Sequence, residues 1–392
     1  MPKKNNQSKK EGYDIIVGIP SLNEADNISF VTQQVDEGLT KYFPNYKSLI
    51  VNVDNHSPDN TKRAFLKTFT KNDKKYITTS PGIRGKGNNF FNLFNEVKKQ
   101  NAKAILVVDA DLKSITPDWV EKMIKPVLKG YDYVLPLYTR NEYDGTITNL
   151  ICYPILFGLI GYNIRQPIAG DFSFSSKINN YWLEQKWYST TRQFGIDIFM
   201  TLHAVFGNFK LGQVCLGSKV HKPSAPKLNI MFTEVVSTLF KTILHQKDKW
   251  NKVSKQQLVP ILNNGAVMHP QGMSIDYKSI KSTALLGYKK NRKLIRKYLS
   301  PGLFKTVDKY AMTGRMKINK QMWQRIVFDI LIAYDQTKYS KDVIKAFKNL
   351  YFLRIASYIG YTLDLDYRHS ERAIIDLAKL FKKNKVKLIK KL

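Results

Sequence analysis

Asp109 and Asp111 stand one residue apart at the end of the apolar run "AILVV" (104–108). A single aspartate where a strand stops is ordinary turn chemistry, because its side chain bonds the backbone that follows. A pair invites a second reading. Side chains at i and i+2 of a strand point to the same face, so both carboxylates are expected to face one cleft. A hard cation such as Mg2+ or Mn2+ takes such oxygens and often holds a phosphate as well. Turn and metal site both stay open on these residues alone. "GIRGKG" (82–87) is a glycine-rich turn entering a helix, which lets backbone N–H groups and Lys86 approach phosphate. It lacks the spacing and the Ser/Thr of a Walker motif. A lone histidine is ordinarily a surface or core imidazole, but His221 lies in a loop just past the strand-like "LGQVCLG" (211–217).

The elements that must position these groups alternate from residue 13 onward. "YDIIVGIP" (13–20), "SLIVNVD" (48–54), "KYITTS" (75–80), "AILVVDAD" (104–111) and "YDYVLPLY" (131–138) read as strands, each separated from the next by one helical pattern. Thr116 and Pro117 mark the N-cap and first position of the helix after the fourth strand. Asn23 is read as a cap for the first helix. Single-helix crossovers give an α/β, mostly parallel sheet with flanking helices. Such sheets bind ligands beyond the carboxyl ends of their strands. Pro20, Asp54, Ser80 and the Asp109/Asp111 pair all fall there. Past residue 140 come an apolar helix (150–162), "DFSFSS" (171–176), a helix near 195–206 and the strand 211–217; from about 231 helical periodicity dominates. The expected organisation is a basic tail over 1–12, a sheet domain over 13–230 and a mostly helical C-terminal region over 231–392. No internal repeat is found.

The order "VGIPSLNEADNI", "VNVDNHSPDNT", "PGIRGKGNN" and "VVDADL" resembles the GT-A (Rossmann-like) nucleotide-sugar glycosyltransferases, in which the aspartates form a DxD motif. "IRQPIAGDFSFSS" (164–176), "FGIDIFM" (194–200) and "LGQVCLGSKVHKP" (211–223) are similar to stretches of the glucosyl-3-phosphoglycerate synthase and mannosylglycerate synthase group. The resemblance covers roughly residues 13 to 250. It implies a metal-dependent, retaining transfer of a hexose from UDP-glucose or GDP-mannose to a small anionic acceptor such as glycerate or 3-phosphoglycerate. By it, Asp111 and His221 hold Mg2+ or Mn2+. Asp109, with Ala110, faces the ribose or sugar. Pro20, Leu22, Asn23, Glu24, Asp54, Gly85 and Lys86 contact the nucleotide sugar. Asp171 and Asp197 are the candidate catalytic carboxylates, where the family usually carries Glu; the shorter side chain rearranges the sugar contacts. Gly170, Arg165, Thr191 and Arg192 are the candidate acceptor contacts, an arginine fork being suited to carboxylate or phosphate.

Composition bounds the rest. The 392 residues, 43% hydrophobic and 12% aromatic, are those of a folded chain with room for a large core. Sixty-three Lys and Arg against 31 Asp and Glu give a formal charge of +32, which calls for an anionic partner: nucleotide, lipid surface or nucleic acid. No zinc-finger, RRM-type or KH-type motif accompanies the charge, so no specific nucleic acid is expected, though nucleic-acid binding stays as a rival reading. The basic end "KKNKVKLIKKL" (382–392) leaves open a peripheral-membrane enzyme using a polyprenyl phosphate or glycolipid. Two cysteines and a polar N-terminus without an apolar h-region lead to an expectation of a cytoplasmic protein, peripheral on the inner membrane surface in the rival reading, with a homodimer as a further partner.

Overall fold

The computed structural model describes residues 12–223, 225–265, 270 and 272–392. The expected basic tail, apart from Gly12, lies outside the described residues.

The chain divides into two compact units. The first comprises residues 1–84, 88–134 and 171–185; the second comprises 85–87, 135–170 and 186–392. Compactness therefore does not follow the order of the chain, which leaves the first unit and returns to it. The domain limit expected near 231 has no counterpart in this division.

In the first unit, β1 (Ile15–Ser21) and β2 (Ser48–Asp54) are buried at every position. That is why they read as unbroken apolar runs, as the central strands of a parallel sheet do. β1 pairs in parallel with β2 and with β4 (Ala104–Val107), with Ser21 opposite Asp54 and Gly18 opposite Val107. β3 (Asp73–Thr78) lies parallel to β2 at the edge, half exposed and bearing Lys74 and Lys75; charge there discourages pairing with another chain. β6 (Phe172–Ser175) runs antiparallel to β4 and to the start of β5 (Tyr133–Thr139). The order is β3-β2-β1-β4-β6-β5, and in the second unit the remainder of β5 neighbours β7 (Leu211–Ser218). The expected mostly parallel sheet is thus present, with seven strands.

Helices α1 (Ile28–Tyr42), α2 (Thr61–Lys67), α3 (Lys86–Gln100) and α4 (Pro117–Leu128) follow the first four strands, and α6 (Ser176–Glu184) follows β6. Thr116 and Pro117 stand where the sequence placed them. Asn23 does not cap α1: that helix begins five residues later, after Asn27, and Asn23 turns the chain at φ 58°. The first unit is closed by an aromatic cluster in which Phe94 stacks on Trp182 at 5.4 Å, with Phe174 and Tyr133 edge-on to the same indole. Pairs of this kind add about 0.5–1.5 kcal/mol each beyond their buried area.

The second unit is mostly helical. Its apolar segment has α5 (Tyr153–Ile155) between two wider π-type turns, Thr148–Cys152 and Leu156–Ile160; Pro154, which has no N–H to give, lies between them. Then follow α7 (Ile196–Phe206), α8 (Leu228–His245), α9 (Lys247–Trp250), α10 (Tyr277–Tyr298), α11 (Pro301–Met312), α12 (Lys320–Gln336), α13 (Lys341–Thr362) and α14 (Tyr367–Ile389). Phe240 and Trp323 stack on Phe347 at 5.6 and 5.4 Å, and the Trp323 indole N–H donates to the Leu150 carbonyl at 2.8 Å. No described helix is long and apolar enough to cross a membrane.

Candidate functional site

β4 stops at Val107, so Asp109 and Asp111 lie in the turn beyond it and not on the strand. The strand-face argument for their common direction therefore does not apply. Other contacts fix the turn. The Val108 N–H donates to the Gly18 carbonyl at 3.1 Å, and Ala110, Leu112 and Ile115 are buried. Asp109 and Asp111 themselves are half-buried. The buried Asp171 accepts a hydrogen bond from the Asp109 backbone N–H at 2.8 Å through Oδ1. Gly170 precedes it at φ 94°. The carboxylate that the resemblance offered as catalytic is thus engaged in holding the aspartate turn.

Asp54, at the end of β2, is 1% exposed. Its carboxylate accepts from the hydroxyls of Ser21 and Ser57 at 2.6 Å each, from the Ser57 N–H at 2.7 Å and from Tyr76 at 2.9 Å. A carboxylate has about four lone-pair sites, so Asp54 is fully used within the chain. Burial and this carboxylate push the Tyr76 phenol up to about 12. Pro20 and Ser21 lie in the same buried layer, and Leu22 and Asn23 project from the loop after it. The Asn23 N–H donates to the Ser57 hydroxyl at 2.9 Å, and the Glu24 N–H to Thr61 at 2.9 Å. Glu24 is buried and accepts from the Asn27 amide at 2.9 Å. Asn52 donates to the Ile19 carbonyl and to Ser21, and Asn89 to the Ser21 carbonyl. Sequence reading missed these two asparagines; an amide inside the apolar run "SLIVNVD" was the available signal for Asn52.

In the second unit the glycine-rich turn meets the 190–193 turn. A Cβ at Gly85 would overlap the Arg192 carbonyl oxygen, and one at Gly87 the Thr191 carbonyl oxygen. The Gly87 N–H donates to the Gln193 carbonyl at 3.0 Å. Backbone packing is therefore what demands glycine here, whatever else the turn binds. Gly87→Ala should destabilise the fold by about 1–3 kcal/mol, as overpacking does; urea unfolding measures it, and an unchanged midpoint would contradict the close packing. Lys86 Nζ pairs with Asp197 Oδ2 at 3.3 Å, both largely buried. Asp197 stands in the first turn of α7, where a helix favours negative charge. Thr191 is fully buried, and the Arg192 guanidinium lies 5.4 Å over the Trp187 ring.

His221 Nε2 lies 3.6 Å from Asp144 and 3.4 Å from Arg140, so that nitrogen is already engaged. Burial works against ionisation of Asp144, yet His221 and Arg140 hold its carboxyl well below the usual carboxylate range. A depressed carboxylate contributes stability that is present above its unfolded value, 3.8, and lost as pH falls below it. Asp144→Asn should accordingly flatten the acid limb of an unfolding profile below about pH 4; a limb as steep as in the wild type would contradict the assignment. Arg165 grips Glu371 of α14 with both arms of its fork, at 2.6 and 2.8 Å, and donates to Asn149 at 2.9 Å. Its partner lies 206 residues away, and nothing local in the sequence pointed to it.

Among the described residues no group of three or more His, Cys, Asp or Glu side chains is arranged to hold a metal ion. At the aspartate turn the protein offers at most two hard carboxylates. That donor set fits a cation such as Mg2+, which keeps waters and takes substrate phosphates beside one or two carboxylates.

Residues 16–184 match the family model described as Glycosyl transferase family 2. No curated protein matches the sequence. Among solved structures, glucosyl-3-phosphoglycerate synthase from Mycobacterium tuberculosis, in complex with Mn2+, UDP and glucosyl-3-phosphoglycerate, is 22% identical with a TM-score of 0.47, the match covering 59% of this chain and 80% of that one. The same enzyme with Mn2+, UDP-glucose and phosphoglyceric acid is 21% identical with a TM-score of 0.47 over the same shares. With Mg2+ and UDP it is 21% identical with a TM-score of 0.46, covering 59% of this chain and 79% of that one. By the family match, residues 16–184, which carry the aspartate turn on a mostly parallel sheet, form a glycosyl transferase family 2 domain of GT-A fold.

Proposed function

We propose that the chain transfers a hexose from a nucleotide sugar, UDP-glucose or GDP-mannose, to a hydroxyl of a small anionic acceptor such as glycerate or 3-phosphoglycerate. The observation that carries this reading is the aspartate turn, held past the carboxyl end of β4 by the buried Asp171 in a domain of this family. Asp111 is the proposed ligand of Mg2+ or Mn2+, and Asp109 the contact to ribose or sugar. A divalent cation bound there would screen the diphosphate as it leaves. The chain's own residues do the rest. Asp171 keeps the turn in place. The loop from Pro20 to Glu24, fixed by Ser57 and Thr61, presents Leu22 and Asn23 to the nucleotide. Asp197, its charge balanced by Lys86, is the proposed partner of sugar hydroxyls. Arg192 is the proposed acceptor anchor. In a retaining transfer no side chain need stand as an in-line general base.

The balance of +32 supports anionic substrates in general. A second reading, a glycolipid or polyprenyl phosphate acceptor at a membrane surface, is favoured by α10, which has no acid and exposes Lys278, Lys289, Lys290, Lys293, Arg296 and Lys297. One screen decides. UDP-glucose and GDP-mannose, each with Mn2+, are paired with glycerate, 3-phosphoglycerate and a short polyprenyl phosphate, and sugar transfer is followed by mass. Transfer to an acid supports the first reading; transfer to the lipid alone replaces it with the second; nucleotide-sugar turnover with neither acceptor rejects both.

A further inference from the structure

In the second unit, α10 carries eight basic residues and no acid among its 22. The helices it packs against differ: α12 has Asp329 and Asp335, and α13 has Asp342. Its inner side is fixed. Ala284, Tyr288 and Ile295 are buried, the Asn291 amide donates to Asn349 of α13 at 3.3 Å, and a Cβ at Gly287 would crowd the same Asn349 oxygen. Arg292 and Tyr288 both donate to Asp308 of α11, at 2.6 and 2.9 Å. The direction of the outer side follows from this. Lys278, Ser282, Leu286, Lys289, Lys293 and Lys297 succeed one another at steps of four and three residues, which lays them in one row along the helix. All are exposed, and Lys290 and Arg296, exposed too, flank the row. Among the described residues none of the six cations of this face is ion-paired, whereas Arg292 beside it is.

A straight row of unpaired cations suits an extended anionic surface. Each Lys or Arg near such a surface strengthens binding about fivefold, and a helix of this length presents its cations along about 33 Å. Lysine stems can lie against apolar matter while the ammonium stays among headgroups. Leu286, 65% exposed within the row, gains by leaving water. Single-stranded nucleic acid, the other polyanion, is held by aromatic rings on which its bases stack, and this row contains no aromatic side chain. We propose that the outer face of α10 docks the chain on an anionic lipid surface, with its six cations against the headgroups and Leu286 among them. Docking of this kind holds whether the sugar acceptor is an acid or a lipid, so it goes beyond the transfer reaction proposed above.

The test uses the full chain without nucleotide sugar, so that it reads docking and not turnover. Binding is followed by co-sedimentation with vesicles of equal parts phosphatidylglycerol and phosphatidylcholine, and with vesicles of phosphatidylcholine alone. The wild type should bind the anionic vesicles at least tenfold more tightly, and high salt should release it. Lys289→Glu, Lys293→Glu and Lys297→Glu combined should weaken that binding at least tenfold. The control is Lys382→Glu, Lys383→Glu and Lys387→Glu in α14, exposed lysines of the basic end, which changes the net charge equally and should weaken binding less than threefold. Leu286→Ser alters no charge and should weaken it severalfold, which keeps the claim testable should a charge reversal disturb the fold. Equal losses in the two triple variants would make the attraction a property of the whole charge and overturn the proposal. So would vesicle binding indifferent to Leu286→Ser, or a single-stranded oligonucleotide that displaces the vesicles at equal phosphate concentration.

Discussion

Replacing Asp111 with Ala is expected to lower kcat/KM about a thousandfold while leaving the fold intact. The carboxylate is half-buried in a turn whose shape is set by others: by buried Ala110 and Leu112 on either side, by the Val108 bond to Gly18, and by Asp171 on the Asp109 backbone. Those contacts hold the turn without the Asp111 side chain, so the fold is expected to survive its removal. The chemical loss is large. A diphosphate leaving group accumulates charge as the glycosyl bond breaks, and a cation held against it supplies several kcal/mol, at 1.36 kcal/mol per factor of ten. The measurement is initial rate against Mn2+ concentration for the wild type, Asp111→Ala and His221→Ala, with melting curves as control. Full activity of Asp111→Ala, or of the wild type in excess EDTA, would remove the metal reading. His221→Ala with an unchanged metal titration would leave that imidazole to Asp144 and Arg140 alone.

The centre of the sheet was legible because β1, β2 and β4 are buried on both faces. "SLIVNVD" has no polar alternation to blur its limits, and β2 occupies those seven residues. The ends of strands were less legible. A strand ends where its backbone partners end. At β4 the ladder stops at Val107, opposite Phe172, the first residue of β6, although β1 continues to Ser21, so the aspartates fall beyond the ladder and cannot be oriented by period-two reasoning. The same limit applies to the glycine-rich turn. Its glycines suggested phosphate, but Gly85 and Gly87 also meet the Thr191–Arg192 backbone, a contact across more than a hundred residues that no local pattern contains. Arg165 shows the problem most directly. A guanidinium in "IRQPIAGDF" invites an anionic ligand, and the anion present is Glu371 of α14, in a stretch the sequence placed only within a region of helical periodicity. Residue types announced the chemistry. Which partner takes up that chemistry was decided by tertiary contacts.

Asp171→Ala is expected to lower kcat/KM about a hundredfold, and Asp171→Asn to recover most of it. The carboxylate is 1% exposed, and its Oδ1 receives the Asp109 N–H at 2.8 Å. Alanine leaves that N–H without its acceptor, a cost of about 1–3 kcal/mol that the turn can escape only by moving. A shift of about 1 Å in a reacting constellation is enough to cost a factor of a hundred. Asparagine keeps an acceptor oxygen at the same distance along the side chain, so the turn should stay where it is. A group that meets substrate through its charge fails as Asn as badly as it fails as Ala. A group that holds backbone does not. Metal dependence separates the two further: if Asp171 acts through the turn, Asp171→Ala should raise the Mn2+ concentration for half-maximal rate, and Asp171→Asn should restore it. An Asn variant as inactive as the Ala variant, with both metal titrations unchanged, would assign the carboxylate to the sugar and not to the aspartate turn.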